Sequence, residues 1–261
     1  MTIMKNPVRY FFRDIYLRIF GSFANPLKGI YILNSHFVSP DNPSYEVYCE
    51  FLSFLSENCE MVKIEQAVEL IQNRKIVNSC YLAFTYDDGF EECHSIIARA
   101  LEEFGTNGAF FVNANFITGD EKYRDDFAAL VLEAPGKPPM TKNQIQDLHK
   151  RGHIIGSHTL DHVNMNSHDY ELIDWQLAEN KRQIENWTGH LCEYFAYPCG
   201  PLNYINNETL KIAEKYHKVI FSAANNRKYH SFNGRVLNRR HIESWWPHSH
   251  INYFLSVKRR Y

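Results

Sequence analysis

Asp87 and Asp88 stand side by side at the end of the apolar run Leu82-Ala83-Phe84-Thr85-Tyr86, and Gly89 follows them. Further along, Gly156-Ser157-His158-Thr159-Leu160-Asp161-His162 carries two imidazoles four residues apart. Together these stretches supply one or two carboxylates and two histidines, enough to hold a divalent metal with a spare carboxylate beside it. A metal held in this way lowers the pKa of water, and the spare carboxylate takes the proton, which is the apparatus of metal-assisted hydrolysis. Either half alone is weak. Adjacent aspartates after a strand commonly cap a helix or a turn, and a His-x-x-x-His pair often arises by coincidence. The joint pattern says more, because both halves follow apolar strands, at the strand ends where α/β folds place their chemistry.

Strands alternating with helices must position these residues. Strands are expected at 29–34, 80–85, 108–112, 154–156, 194–197, 219–222 and 236–237. Between them, helical periodicity marks 44–59, 64–72, 93–104 with Gly105 as its stop, 168–187 and 206–217. Thr141 and Gln144 form a capping box that opens a helix running to Arg151, closed by Gly152. Residues 113–140 read as a loop long enough to cover a site. The alternation predicts an α/β fold with a parallel sheet or barrel in one domain over 29–261, preceded by a basic amphipathic segment at 1–28. No internal repeat or low-complexity linker interrupts it.

The 261 residues suffice for a sizeable core, and a formal net charge of −2 gives no reason to expect a nucleic-acid partner. The six cysteines (Cys49, Cys59, Cys80, Cys93, Cys192, Cys199) have no metal-finger spacing and read as reduced thiols. The first thirty residues contain no uninterrupted apolar stretch, because Arg9, Arg13, Asp14 and Arg18 break it. No export signal is therefore expected, and the protein is expected in the cytoplasm, at the inner face of the membrane or free. Between Lys5 and Lys28, arginines interleave with Phe11, Phe12, Ile15, Tyr16, Leu17, Ile19, Phe20 and Phe23. Such a helix either lies in the headgroup region of an anionic membrane, as a peripheral contact through residues 5–28, or packs on the body of the protein.

With these motifs in hand, the chain resembles the polysaccharide deacetylase family, the NodB-homology or carbohydrate esterase 4 group. Thr85-Tyr86-Asp87-Asp88-Gly89 is similar to the family's Thr-Phe-Asp-Asp-Gly, and Ser157-His158-Thr159-Leu160-Asp161-His162 to its Ser-His-Thr-x-x-His. Phe195-Ala196-Tyr197-Pro198-Cys199-Gly200 is similar to its third motif. The resemblance implies a distorted (β/α)7 barrel and a metal-dependent N-deacetylase, most often with Zn2+, with Co2+ or Ni2+ as alternatives. Carried over residue by residue, Asp88, His158 and His162 bind the metal and Asp87 is the general base. The metal and the backbone N–H of Cys199 hold the oxyanion, and Tyr86, Tyr197 and Pro198 contact substrate.

Two departures stand out. The third motif lacks the family's arginine that orients the base, so Arg239 or Arg240 is its expected replacement. No Leu-x-His motif appears near the C-terminus; Leu237-Asn238-Arg239-Arg240-His241 stands in its place. A branch of the family resembling the biofilm poly-N-acetylglucosamine deacetylases begins with a strand ending in Tyr-His, and Tyr31 to His36 is placed correctly for that. His36 is thus expected as the general acid, with His241 as the alternative; a histidine suits the role because its pKa lies near working pH. Trp245 and Trp246 are expected to pack against the barrel. His248 and His250 are not expected to bind metal, and Asp161 is expected to support the histidines or cap.

The expected reaction is removal of an acetyl or formyl group from an amino sugar in a polysaccharide or lipid-linked glycan precursor. The alternatives are a hydrolase of the same fold acting on a cyclic imide or ureide, and a degenerate, glycan-binding member. Both carboxylates are intact, which a binding module does not need.

Overall fold

The structure, a computed structural model, describes residues 7–261. The part of the N-terminal segment that includes Lys5 lies outside the described residues. Helix α1 (Pro7–Ser22) precedes β1 (Gly29–Ser35), α2 (Tyr45–Ser56), β2 (Glu60–Met61), α3 (Ile64–Gln72) and β3 (Cys80–Tyr86). A π-helical turn (Cys93–Ile97) leads into α4 (Ala98–Glu103), followed by β4 (Gly108–Val112), α5 (Ala114–Thr118), α6 (Glu121–Asp126) and α7 (Lys142–Lys150). Then come β5 (Ile154–Ser157), α8 (Tyr170–Thr188), β6 (Tyr194–Ala196), α9 (Asn207–Tyr216) and β7 (Val219–Ser222). The short strands β8 (His230–Ser231), β9 (Val236–Asn238) and β10 (Arg240–His241) precede α10 (His248–Leu255).

The strands pair in the order β10-β1-β3-β4-β5-β6-β7-β9-β8, with β2 beside β3, and every pairing is parallel except β8 with β9. Only Arg239 separates β9 from β10, yet Leu237 pairs with Phe221 of β7 while Arg240 pairs with Leu33 of β1. The sheet therefore curls until one interrupted strand joins its two sides. Counting β9 and β10 as one stave, β1, β3, β4, β5, β6 and β7 complete a distorted (β/α)7 barrel. The distortion is visible at the Arg239 break and between β5 and β6, where Ser157 and Phe195 form a single registered pair.

Successive strand residues point to opposite faces, so each stave feeds two cores. Ile30, Ile32, Ala83, Ala109, Phe111, Ala196, Phe221 and Leu237 fill the interior. Tyr31, Leu33, Leu82, Phe84, Tyr86, Phe110 and Val112 pack outward under the helices. Burial on both faces explains the near-continuous apolar runs of the strands.

The capping box at Thr141 and Gln144 is present in both directions. Helix α8 begins at Tyr170, two residues later than its periodicity suggests, because the Asp169 side chain accepts from the Leu172 N–H and serves as the N-cap. Its end is set by Gly189 in the left-handed region. The expected open loop at 113–140 is instead built from α5, α6 and a π-helical turn (Phe127–Val131). Phe116, Phe127, Ala128 and Ala134 bury themselves against Phe90, and a bridge from Phe90 to Pro139 fixes the exit of the segment.

Candidate active site

The C-terminal ends of the staves converge on a cavity of about 680 Å³. Asn34 and His36 reach it from β1, Asp87 and Asp88 from β3, His158 and His162 from β5, Tyr197 and Cys199 from β6, and His241 and Glu243 from β10. Backbone strain gathers here: Asp88, Thr159, His162 and Cys199, none of them glycine, all have positive φ, between 52° and 72°. Left-handed backbone at such residues costs energy and persists where tight surroundings impose it. Gly89 continues the turn at φ 84°, and a Cβ there would lie 2.9 Å from the Val112 side chain, so no larger residue fits behind Asp88.

Asp88, His158 and His162 offer ligand atoms all within 4.8 Å of one another. Asp88 Oδ1 lies 3.5 Å from His158 Nε2 and 3.7 Å from His162 Nε2, and it is buried without a hydrogen-bond partner. A buried acceptor left without a donor is costly, and a cation between these three atoms would satisfy it. His158 Nδ1 lies 2.8 Å from the Ala196 carbonyl, so it carries the proton and leaves Nε2 free to bind metal. Burial pushes both histidines down to about 4, keeping them neutral, while burial raises Asp88 above the ordinary carboxylate value. The donor set, two neutral imidazoles and a carboxylate, fits a zinc-like divalent ion.

Asp87 turns the other way. Arg239 grips it with both prongs, Nη1 to Oδ1 at 2.6 Å and Nη2 to Oδ2 at 2.7 Å. Asn34 Nδ2 donates to Oδ2 at 3.2 Å. Burial opposes ionisation of Asp87, but the Arg239 charge, with help from His36, outweighs it and holds the carboxyl well below its usual range. Arg239 is itself wholly buried, anchored through Thr85 Oγ1 at 3.0 Å and the Ser222 carbonyl at 3.2 Å, with Phe111 beneath its guanidinium. Arg240, one residue on, faces outward and donates to the Asn225 carbonyl. Strand alternation thus decides between the two arginines.

Opposite this pair, His36 Nδ1 meets Glu243 Oε1 at 2.8 Å, and Ser35 Oγ donates to the other carboxylate oxygen. Burial disfavours the imidazolium, but Glu243, Asp88 and Asp87 overcome it and raise His36 to about 9. His241 lies 3.5 Å from the same carboxylate, yet burial lowers its pKa. At neutral pH the cavity therefore holds one protonated histidine, His36. No short-range spacing marks Glu243; it meets His36 across 207 residues of sequence.

Other expected residues divide. Tyr197 lines the cavity, and Cys199 is exposed at its mouth, next to Gly200. Tyr86 belongs to the outward-facing set: its hydroxyl bonds that of Tyr48, and its ring stacks on Phe110 at 5.3 Å, so it packs under helices and does not line the cavity. Pro198 is buried and likewise absent from the lining. Trp245 and Trp246 do pack, Trp245 stacked on Phe37 at 5.0 Å, but both also line the cavity. Asp161 accepts from Asn115, Tyr123 and Gln176, tying the turn between the two histidines to α5, α6 and α8. His248 stacks on Phe54 and His250 faces Asp14, both outside the cavity.

A family model described as polysaccharide deacetylase matches residues 75–219, just over half of the chain. The chain belongs to the polysaccharide deacetylase family. Among curated proteins this family member is similar to YxkH of Bacillus subtilis (strain 168), a polysaccharide deacetylase by name, at 26% identity over 151 residues. That match covers 58% of this chain and 47% of YxkH, so the chain spans about half the length of that relative. Among solved structures, the deacetylase fold here is similar to IcaB from Ammonifex degensii (TM-score 0.70, 17% identity, 89% of this chain and 99% of that one). It is also similar to the Streptococcus pyogenes deacetylase PplD in complex with acetate (TM-score 0.64, 16% identity, 88% and 99%). At such identities the likeness establishes the deacetylase family's barrel fold and nothing finer.

Proposed function

We propose that this protein hydrolyses the N-acyl amide of an amino sugar in a glycan, polymeric or lipid-linked, releasing acetate or formate and leaving the free amine. One observation carries the reading: an aspartate clamped by arginine, a clustered Asp-His-His triad and a histidine held by a glutamate all serve a single cavity. Membership of the polysaccharide deacetylase family supports an amide on a sugar as the target.

Asp88, His158 and His162 would hold the metal. A divalent ion there supplies Lewis acidity, making water nucleophilic near neutral pH and polarising the acyl carbonyl. Asp87 takes the proton from the attacking water; its bidentate pairing with Arg239 keeps it ionised and fixes its direction. The Cys199 N–H, carried on a left-handed turn at the mouth, donates to the acyl oxygen as negative charge develops there. His36, charged at neutral pH, protonates the departing amine, and Glu243 holds the ring in place through Nδ1 so that Nε2 carries the transferable proton. Trp245 and Trp246 offer aromatic surface for the sugar ring.

The test is acetate release from N-acetylglucosamine oligomers by zinc-, cobalt- or nickel-loaded protein, with amine formed in equal amount. Asp87→Asn should lower kcat by about 10²- to 10⁴-fold with metal content unchanged. Metal-loaded wild type that releases neither acetate nor formate from N-acylated sugars overturns the reading.

A further inference from the structure

At about 100° of rotation per residue, α1 divides from Phe11 to Ser22 into two unlike halves. Leu17 and Gly21, both buried, and Asp14 fall on one half, which sits against α10. A Cβ on Gly21 would lie 1.8 Å from the Ser249 carbonyl oxygen, so glycine alone lets the two backbones touch there. Asp14 faces His250 at 3.3 Å, and Leu27 N–H donates to the Leu255 carbonyl, so the helix is seated on the body of the protein.

The opposite half carries Phe11, Phe12, Ile15, Ile19 and Phe20, all exposed, and Phe23, in the turn just past the helix, is 86% exposed. Helices of globular domains bury their apolar face; α1 does the reverse. Its stripe covers about half the circumference, and Arg13 and Arg18, both exposed, fall just outside its two borders. Between Phe11 and Lys28 the sole acid, Asp14, pairs with Arg18 at 2.7 Å, and with Arg13 and Lys28 added the segment keeps a net positive charge. No helix among the described residues is long and apolar enough to cross a membrane.

We propose that α1 lies in the plane of an anionic lipid surface, its aromatic stripe at the headgroup–acyl boundary and Arg13 and Arg18 among the lipid phosphates. Charge selects lipid over a second copy of the chain. Two stripes packed face to face would bring arginine-bordered rims together, whereas phosphates complement both rims at once. Aromatic side chains suit this depth, with apolar rings below and wet surroundings above. The inference goes beyond the hydrolytic reading and does not depend on it.

Full-length protein would be sedimented with vesicles of phosphatidylcholine alone and of phosphatidylcholine mixed with phosphatidylglycerol. Binding should require phosphatidylglycerol and weaken with added salt. The triple variant Phe12→Ser, Phe20→Ser, Phe23→Ser should lose about 1000-fold in partitioning, at about tenfold per ring, with its melting temperature unchanged because all three rings are exposed. As a second readout, an Ile19→Trp variant should shift its emission to the blue on vesicles and be quenched by brominated lipid. Wild type that ignores both vesicle types, or a triple variant that binds as well as wild type, overturns the proposal. So does a wild-type dimer that the triple variant converts to monomer, which would assign the stripe to a second copy.

Discussion

Changing Glu243 to Gln should separate the two halves of the acid–base machinery. Glutamine can keep its carbonyl oxygen as acceptor for His36 Nδ1 and turn its amide to donate to Ser35 Oγ, so the geometry is kept while the negative charge goes. Glu243 is the largest influence raising His36 to about 9, against burial that works the other way. Without it, the ring falls back toward the ordinary imidazole value of 6.5. The acid must be protonated to serve the leaving amine, so activity falls as pH rises through this pKa. A group at 9 is about nine-tenths protonated near pH 8, and one at 6.5 only a few per cent, which gives up to about a 30-fold loss in kcat/KM there. Near pH 6 the two proteins should agree within about twofold. A divalent ion on Asp88 offsets that carboxylate's pull on His36 and moves both alkaline limbs down; the gap between them is Glu243's own. The assay is acetate release by metal-loaded enzyme across the pH range, wild type against Glu243→Gln. An equal loss at every pH would show that Glu243 only holds the loop. An unmoved alkaline limb would show that His36 is not the acid, and His241→Ala would then become the informative variant.

Arg239→Lys cannot reproduce two parallel bonds to Asp87 and should cost about 10- to 100-fold in kcat, with metal content intact. Arg239→Met, which strands a buried carboxylate, should cost about 3–5 kcal/mol in urea unfolding, and an unchanged midpoint would count against the buried pair. His158 and His162 sit at about 4 in the folded chain against 6.5 ordinarily, so the unfolded chain binds more protons between those values. Metal-free protein should therefore lose stability as pH falls from about 6.5 to about 4, and that slope should be shallower in His158→Gln with His162→Gln, where the buried His217 still contributes. Urea melts in chelator at several pH values would test this; identical slopes would refute it. Trp245→Ala, removing the ring stacked on Phe37 in the cavity, should raise KM for sugar oligomers about 3- to 10-fold with kcat nearly unchanged, and an unaltered KM would return Trp245 to a packing role.

Much of the site was legible in the sequence because its residues are local. Asp87 and Asp88 are adjacent at a strand end, and His158 and His162 share one turn, so type and spacing sufficed to bring them forward. The barrel was legible for a similar reason: apolar runs separated by amphipathic ones can be buried only as a parallel sheet under helices. Alternation within β3 was equally available, and it places Tyr86 under the helices opposite Thr85, against the expectation that Tyr86 touches substrate. What the sequence could not decide is pairing between distant staves. Nothing local distinguishes Arg239 from Arg240, or marks Glu243 at all. The barrel closes across Arg239, so that residue alone turns inward to reach Asp87 while its neighbour turns out, and the same closure carries Glu243 beside His36. The direction of α1 was undecided for a related reason: its amphipathic pattern is the same whichever half is buried. The small-residue contact of Gly21 with Ser249 seats one half on α10 and leaves the aromatic half facing out.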